Sequence, residues 1–233
     1  MEYLTNNKTL GARPLHAHQM LLVIAGCTKI CWGLVLTLLL FARIIRVAAV
    51  EEKLHLPAFL FGILLLLWGV MYLNRVPHVS KRWADLSKAS VYCTVLMIYF
   101  CPFVYWWKIN IASYFLAFNM FGFCVSTILL LKILNHMVAE FALRMKDSIF
   151  RLEAQISAWG MVIMLGVPLI ATLLYSISFI IRHHAHPFSQ LQVHFDKLPT
   201  WSIAMMLMPF SITLINLWKI RRKCTQLLDT GED

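Results

Sequence analysis

The sequence predicts an all-α, polytopic integral membrane protein, with six transmembrane helices in three hairpins and cytoplasmic N- and C-termini. Three observations carry this expectation. Of 233 residues, 60% are hydrophobic and only 14% charged, against about 25% charged in ordinary soluble domains. Six apolar runs reach or approach the roughly 20 residues that cross the hydrocarbon core of a bilayer. Lysine and arginine are unevenly shared between the flanks of those runs, fourteen on one side and six on the other. The side richer in Lys and Arg is expected to face the cytoplasm.

The runs are Met20–Phe41, Leu54–Leu73, Val91–Trp107, Ile109–Leu131, Ala158–Ile181 and Trp201–Trp218. No small-residue cleavage site follows the first, so it is expected to stay as an anchor. It carries Lys29 near its middle, with Ala25, Gly26, Trp32 and Gly33 three and four residues away. Small residues admit a neighbouring helix backbone. Two readings of Lys29 follow: it faces the protein, or the helix sits deeper and the side chain snorkels to an interface.

The third and fourth runs are joined by Tyr105-Trp106-Trp107-Lys108-Ile109-Asn110. That composition reads as an interfacial aromatic belt holding a tight turn. From Lys132 to Gln155 there is no proline or glycine, and apolar residues recur near helical spacing at Leu134, Met137, Val138, Phe141, Met145, Ile149, Leu152 and Ile156. Residues 132–156 are therefore expected to form a cytoplasmic amphipathic extension of the fourth helix, lying on the membrane surface or docking a partner protein. The whole chain is expected to be a single membrane domain, because no polar stretch is long enough for a separate soluble one.

Several chemistries are excluded or weakened. All eleven Asp and Glu residues lie outside the six apolar cores, whereas ion-coupled pumps use intramembrane carboxylates. The HExxH zinc-protease signature is absent. Cys27, Cys31, Cys93, Cys101 and Cys124 lie in apolar runs, Cys224 lies in the basic tail, and there is no CxxC pair, so redox exchange loses support. The net charge of +10 is scattered over membrane flanks. It points to anionic lipid heads and not to nucleic acid.

The candidate site residues are few. Lys29, Asn119 and Tyr99 stand near the middle of apolar runs, and Asn216 near the end of the sixth; the first three are candidates for lining a midplane ligand site or for helix packing. His183, His184, His186 and His194, in the loop after the fifth run, form a candidate transition-metal set; otherwise no cofactor is implied. The leading expectation is a non-enzymatic accessory or scaffold subunit of a membrane complex, with a protein partner or self-association. The first alternative is a small transporter or ligand-binding membrane protein with a site around Lys29 and Asn119. The second is a metal-binding membrane protein using the loop histidines. In a bacterium the location would be the cytoplasmic (inner) membrane.

Overall fold

The computed structural model of the chain describes residues 17–46, 55–76, 80–183 and 200–230. Among them the structure is all helical: α1 Ala17–Arg46, α2 His55–Asn74, α3 Lys81–Ile109, α4 Tyr114–Arg144, α5 Ser148–His183 and α6 Thr200–Thr230. No strand occurs among the described residues. Five helices, α1 to α5, are long and apolar enough to cross a membrane. The sixth expected span, Trp201–Trp218, lies within α6, which is not among those five.

α1 and α2 pack antiparallel at backbone distance because glycine faces glycine. A Cβ on Gly69 would stand 2.6 Å from Ile30 Cγ1 and 2.8 Å from the Gly26 carbonyl oxygen, and one on Gly33 would meet the Leu66 backbone nitrogen at 2.8 Å. The small residues around Lys29 thus do admit a neighbouring helix, as their spacing suggests. At the far end of the pair, Phe41, Phe59 and Phe123 stack with ring centroids 5.5–6.3 Å apart, tying α4 to both. α3 packs along α4 and touches α2, while α6 lies against α1, α4 and α5.

Local signals explain the helix ends. The Ser80 hydroxyl accepts from the Trp83 backbone N–H at 2.9 Å and caps α3. Ser113 caps α4 in the same way through Leu116, after a turn at 110–113. The tight connection expected between the third and fourth runs is there, shifted a few residues toward the C-terminus. Such caps satisfy backbone donors that the first helical turn leaves open.

The stretch 132–156, expected as one helix continuing the fourth run, is divided. α4 ends at Arg144 and α5 begins at Ser148. Between them the Asp147 N–H bonds the Ala142 carbonyl at 3.0 Å and the Lys146 N–H bonds that of Leu143 at 3.1 Å. Lys146 takes φ 57°, the left-handed conformation usually filled by glycine where a helix stops. The Asp147 carboxylate then accepts from the Phe150 N–H at 3.0 Å and starts α5. The chain reverses here without a glycine or a proline.

The core runs along α1 to α4, from Phe59, Val104 and Phe123 at one end to Val23, Leu73 and Trp83 at the other, and all six helices meet at the second end. The ends of α1, α2, α3, α4, α5 and α6 all contribute fully buried residues there, among them Val23, Leu73, Trp83, Leu134, Phe141, Ala154 and Cys224. α5 gives buried hydrophobic residues to this core only from Phe150 to Met161, with Leu165 packed against it, and just 6% of its most apolar stretch is buried. Beyond Met161 one side of it is open, with Ile163, Val167, Ile170 and Leu174 exposed, while Ser176 is buried.

Candidate functional site

The buried polar residues converge on one place. Asn135 of α4 is fully buried. Its amide donates to the Leu131 carbonyl at 2.9 Å and to the Thr213 hydroxyl at 2.9 Å. Its carbonyl oxygen accepts from the Asn216 amide at 2.8 Å. Thr213 donates to the Pro209 carbonyl at 3.0 Å and lies 3.2 Å from the Met161 sulfur. One knot therefore joins α4, α5 and α6, and its members satisfy one another. A buried network of this kind fixes helix register, because every alternative packing leaves a desolvated donor unpaired.

Next to the knot lies a small void of about 10 Å³, lined by Val23, Cys27, Leu73, Trp83, Leu134 and Leu217 among others. A water needs at least about that much space and two or more polar partners. The lining offers only apolar and thiol side chains and the rim of an indole already bonded to the Leu73 carbonyl at 3.3 Å. The void is dry and too small for a solute.

The same void sets a height along the bundle, since Cys27, Leu73, Leu134 and Leu217 all reach it. Cation–aromatic pairs ring the molecule at that height. Lys29 Nζ lies 4.7 Å from the Trp68 ring centroid and 4.4 Å from that of Tyr72, and Arg75 stands 5.9 Å from the same Tyr72 ring. Lys132 sits 4.2 Å over Trp159, and Arg221 4.4 Å over Trp218. Each such pair contributes about 0.5–1 kcal/mol where exposed.

Lys29 is half-buried on the edge of α1, level with the end of α2 and not with its middle. α2 has 20 residues, which is about 30 Å of helix and matches the hydrocarbon thickness. α1 has 30 and is the longer of the two. Asn119 is buried and donates to the Phe115 carbonyl at 2.7 Å. It lies one turn beyond Phe123, whose ring meets Phe41, twelve residues or about 18 Å along α1 from Lys29. The structure does not bring Lys29 and Asn119 together. Tyr99 is 59% exposed and packs on Phe100 and Phe103.

Beyond the cation–aromatic ring the helices continue as a polar-edged cap. Arg82 pairs with Glu140 at 3.2 Å and Lys219 with Glu153 at 2.7 Å. Lys223 pairs with Asp147 and holds its carboxyl below the ordinary carboxylate value, helped by the Phe150 N–H. Burial pushes the Cys224 thiol up to about 12, so it stays protonated and inert. An open groove of about 520 Å³ runs between the α4–α5 turn and α6, past Lys146, Ser148 and Lys223.

Of the histidine set, His184, His186 and His194 lie outside the described residues, and His183 is the last residue of α5. No group of three or more His, Cys, Asp or Glu that can hold a metal ion occurs among the described residues. Asn135 and Thr213 are the polar residues that sequence reasoning missed. The apolar run ends at Lys132, so Asn135 falls into a stretch read as a wet surface helix. No family model, no curated protein and no solved structure matches the chain.

Proposed function

We propose that the chain is a non-enzymatic assembly component of a membrane, with six spans in three hairpins and both termini in the cytoplasm. The observation that carries this reading is the mutual satisfaction of Asn135, Thr213 and Asn216 beside a dry void of about 10 Å³. Polar residues that line a solute path face a cavity; these face one another. The cation–aromatic ring supports a bilayer interface at the height of Lys29, Trp159 and Trp218. Lys29 then snorkels beside Tyr72, and it contacts anionic lipid heads together with Arg75, Lys132 and Arg221. The described Lys and Arg of the cap share one end of the bundle, which supports its cytoplasmic placement.

The test separates assembly from transport. In native membranes, an impermeant maleimide applied to either face is expected to leave Cys27 unlabelled, and the chain is expected to migrate on a native gel above its own 26.9 kDa. Labelling of Cys27 from either side would transfer the argument to a transporter, because the thiol lines the void.

A further inference from the structure

α5 carries a pattern whose isoleucines the packing of a single chain leaves exposed, although Trp159 within it meets Lys132 and His136 of α4. Isoleucine recurs every seventh residue at 149, 156, 163, 170 and 177. Three residues after each come Leu152, Trp159, Gly166, Leu173 and Ile180. This is an a/d seam sustained over five heptads, the repeat that drives two helices to supercoil around each other. The seam is open: Ile149 is 73% exposed, Ile156 64%, Ile163 62% and Ile170 58%. The apolar residues that α5 buries, Phe150, Ala154, Ala158 and Met161, fall at b, f, c and f, on the opposite face, and the buried Ser176 falls at g, beside the seam.

Lipid accounts for an apolar face inside the membrane but not for its continuation outside. Trp159 marks the cation–aromatic ring. Ile156, Leu152 and Ile149 stand three, seven and ten residues past it toward the cap, or about 5 to 15 Å. In this stretch Arg151, Glu153, Gln155 and Ser157 all lie off the a and d positions. An exposed apolar stripe flanked by polar residues marks a protein contact.

We propose that the seam binds a second copy of this chain, as a parallel, in-register α5–α5 pair. The proposal deepens the assembly reading, on which it rests, by naming a partner. Two copies inserted the same way are related by a two-fold axis along the membrane normal, so each seam residue meets its own counterpart. The seam suits that geometry. Isoleucine stands at every a and leucine at two of the five d positions, Leu152 and Leu173, a combination found in parallel two-stranded pairs, and no charge occupies an a or d position to oppose its twin. Gly166 sits at d, where close approach is useful. Pro168, which bends helices, sits at f, away from the contact. The seam runs from Ile149 to Ile180, about 46 Å of helix, on each of the two copies.

The test is oxidative cross-linking of the full chain in native membranes, with copper phenanthroline joining two thiols as a disulfide. Single cysteines replace Ile149, Leu152 or Ile156 on the seam, and Arg151 or Gln155 off it, each compared with the parent chain. The seam positions are expected to yield at least five-fold more covalent dimer than the off-seam positions. Equal yields across the set, no dimer, or cross-links only to a different protein would overturn the pairing; the last would leave the assembly reading standing. In lipid nanodiscs the wild type is expected at twice the mass of the Ile149→Glu/Ile156→Glu chain, with both fully helical. A monomeric wild type would equally overturn it.

Discussion

α1 and α5 are both long apolar helices, and the chain treats them in opposite ways. α1 meets α2 through glycines so closely that a Cβ on Gly69 or Gly33 would lie within 3 Å of backbone. α5 has nothing within 4 Å of a Cβ on Gly160, and for Gly166 only its own Val162 at 3.9 Å. The difference teaches how side-chain size allots partners. Small residues at matched positions let two backbones of one chain close on each other, gaining dispersion contacts where no hydrophobic drive exists in lipid. Large β-branched residues at heptad spacing suit a facing helix with the same period, and among the described residues Ile149, Ile156, Ile163 and Ile170 stay exposed.

The largest effect that can break this comparison is expected at Gly69. Gly69→Leu must push α1 and α2 apart, and overpacking of that order costs about 3 kcal/mol. Gly160→Ala on α5 is expected to cost nothing and to gain up to about 1 kcal/mol from helix propensity. Unfolding of both variants in mild detergent by SDS titration checks the pair. Equal losses at the two sites would mean that α5 is packed within its own chain after all.

A second, smaller effect concerns how α5 is held at its base. Met161 contacts the Asn135–Thr213–Asn216 knot, which binds α5 to α4 and α6. Asn135→Ala strands the buried Asn216 amide and is expected to cost about 2 kcal/mol. Asn216→Ala should cost about the same, and the double variant little more than either, because the two share one bond. Strict additivity in the same titration would show that the knot is not a unit.

What could be read from the sequence divides along the same line. The apolar runs gave the helices, since length and composition alone decide whether a segment can cross lipid. The close α1–α2 contact was visible in Gly26 and Gly33. The place of Lys29 beside the end of α2 was not, because the centre of an apolar run does not say which part of a partner helix it meets. The α4–α5 reversal escaped notice because Lys146 fills a position where glycine is the usual signal. Asn135 lay past the end of its run. The isoleucine period of α5 was present in the letters, but within a run apolar on every side a seven-residue repeat has no contrast. It acquires meaning only once the opposite face is seen to be buried.

The smallest expected effect sharpens the comparison at the junction where α5 leaves the bundle. Asp147 both caps α5 through the Phe150 N–H and pairs with Lys223 of α6, and these bonds depress its pKa. A group whose folded pKa is lowered stabilises the fold above its unfolded value and loses that contribution as pH falls through the folded one. The ordinary value is about 4, so the contribution is intact at neutral pH and fades below that. Asp147→Asn keeps a capping oxygen but removes the charge. Wild type is expected to melt slightly above this variant at pH 7, with the gap closing as pH falls below about 4. Added salt should narrow the neutral-pH gap, since the pair is partly exposed. A gap constant from pH 7 to pH 3 would mean that the charge on Asp147 does not hold α5 to α6, leaving the Asn135 knot as the main tie.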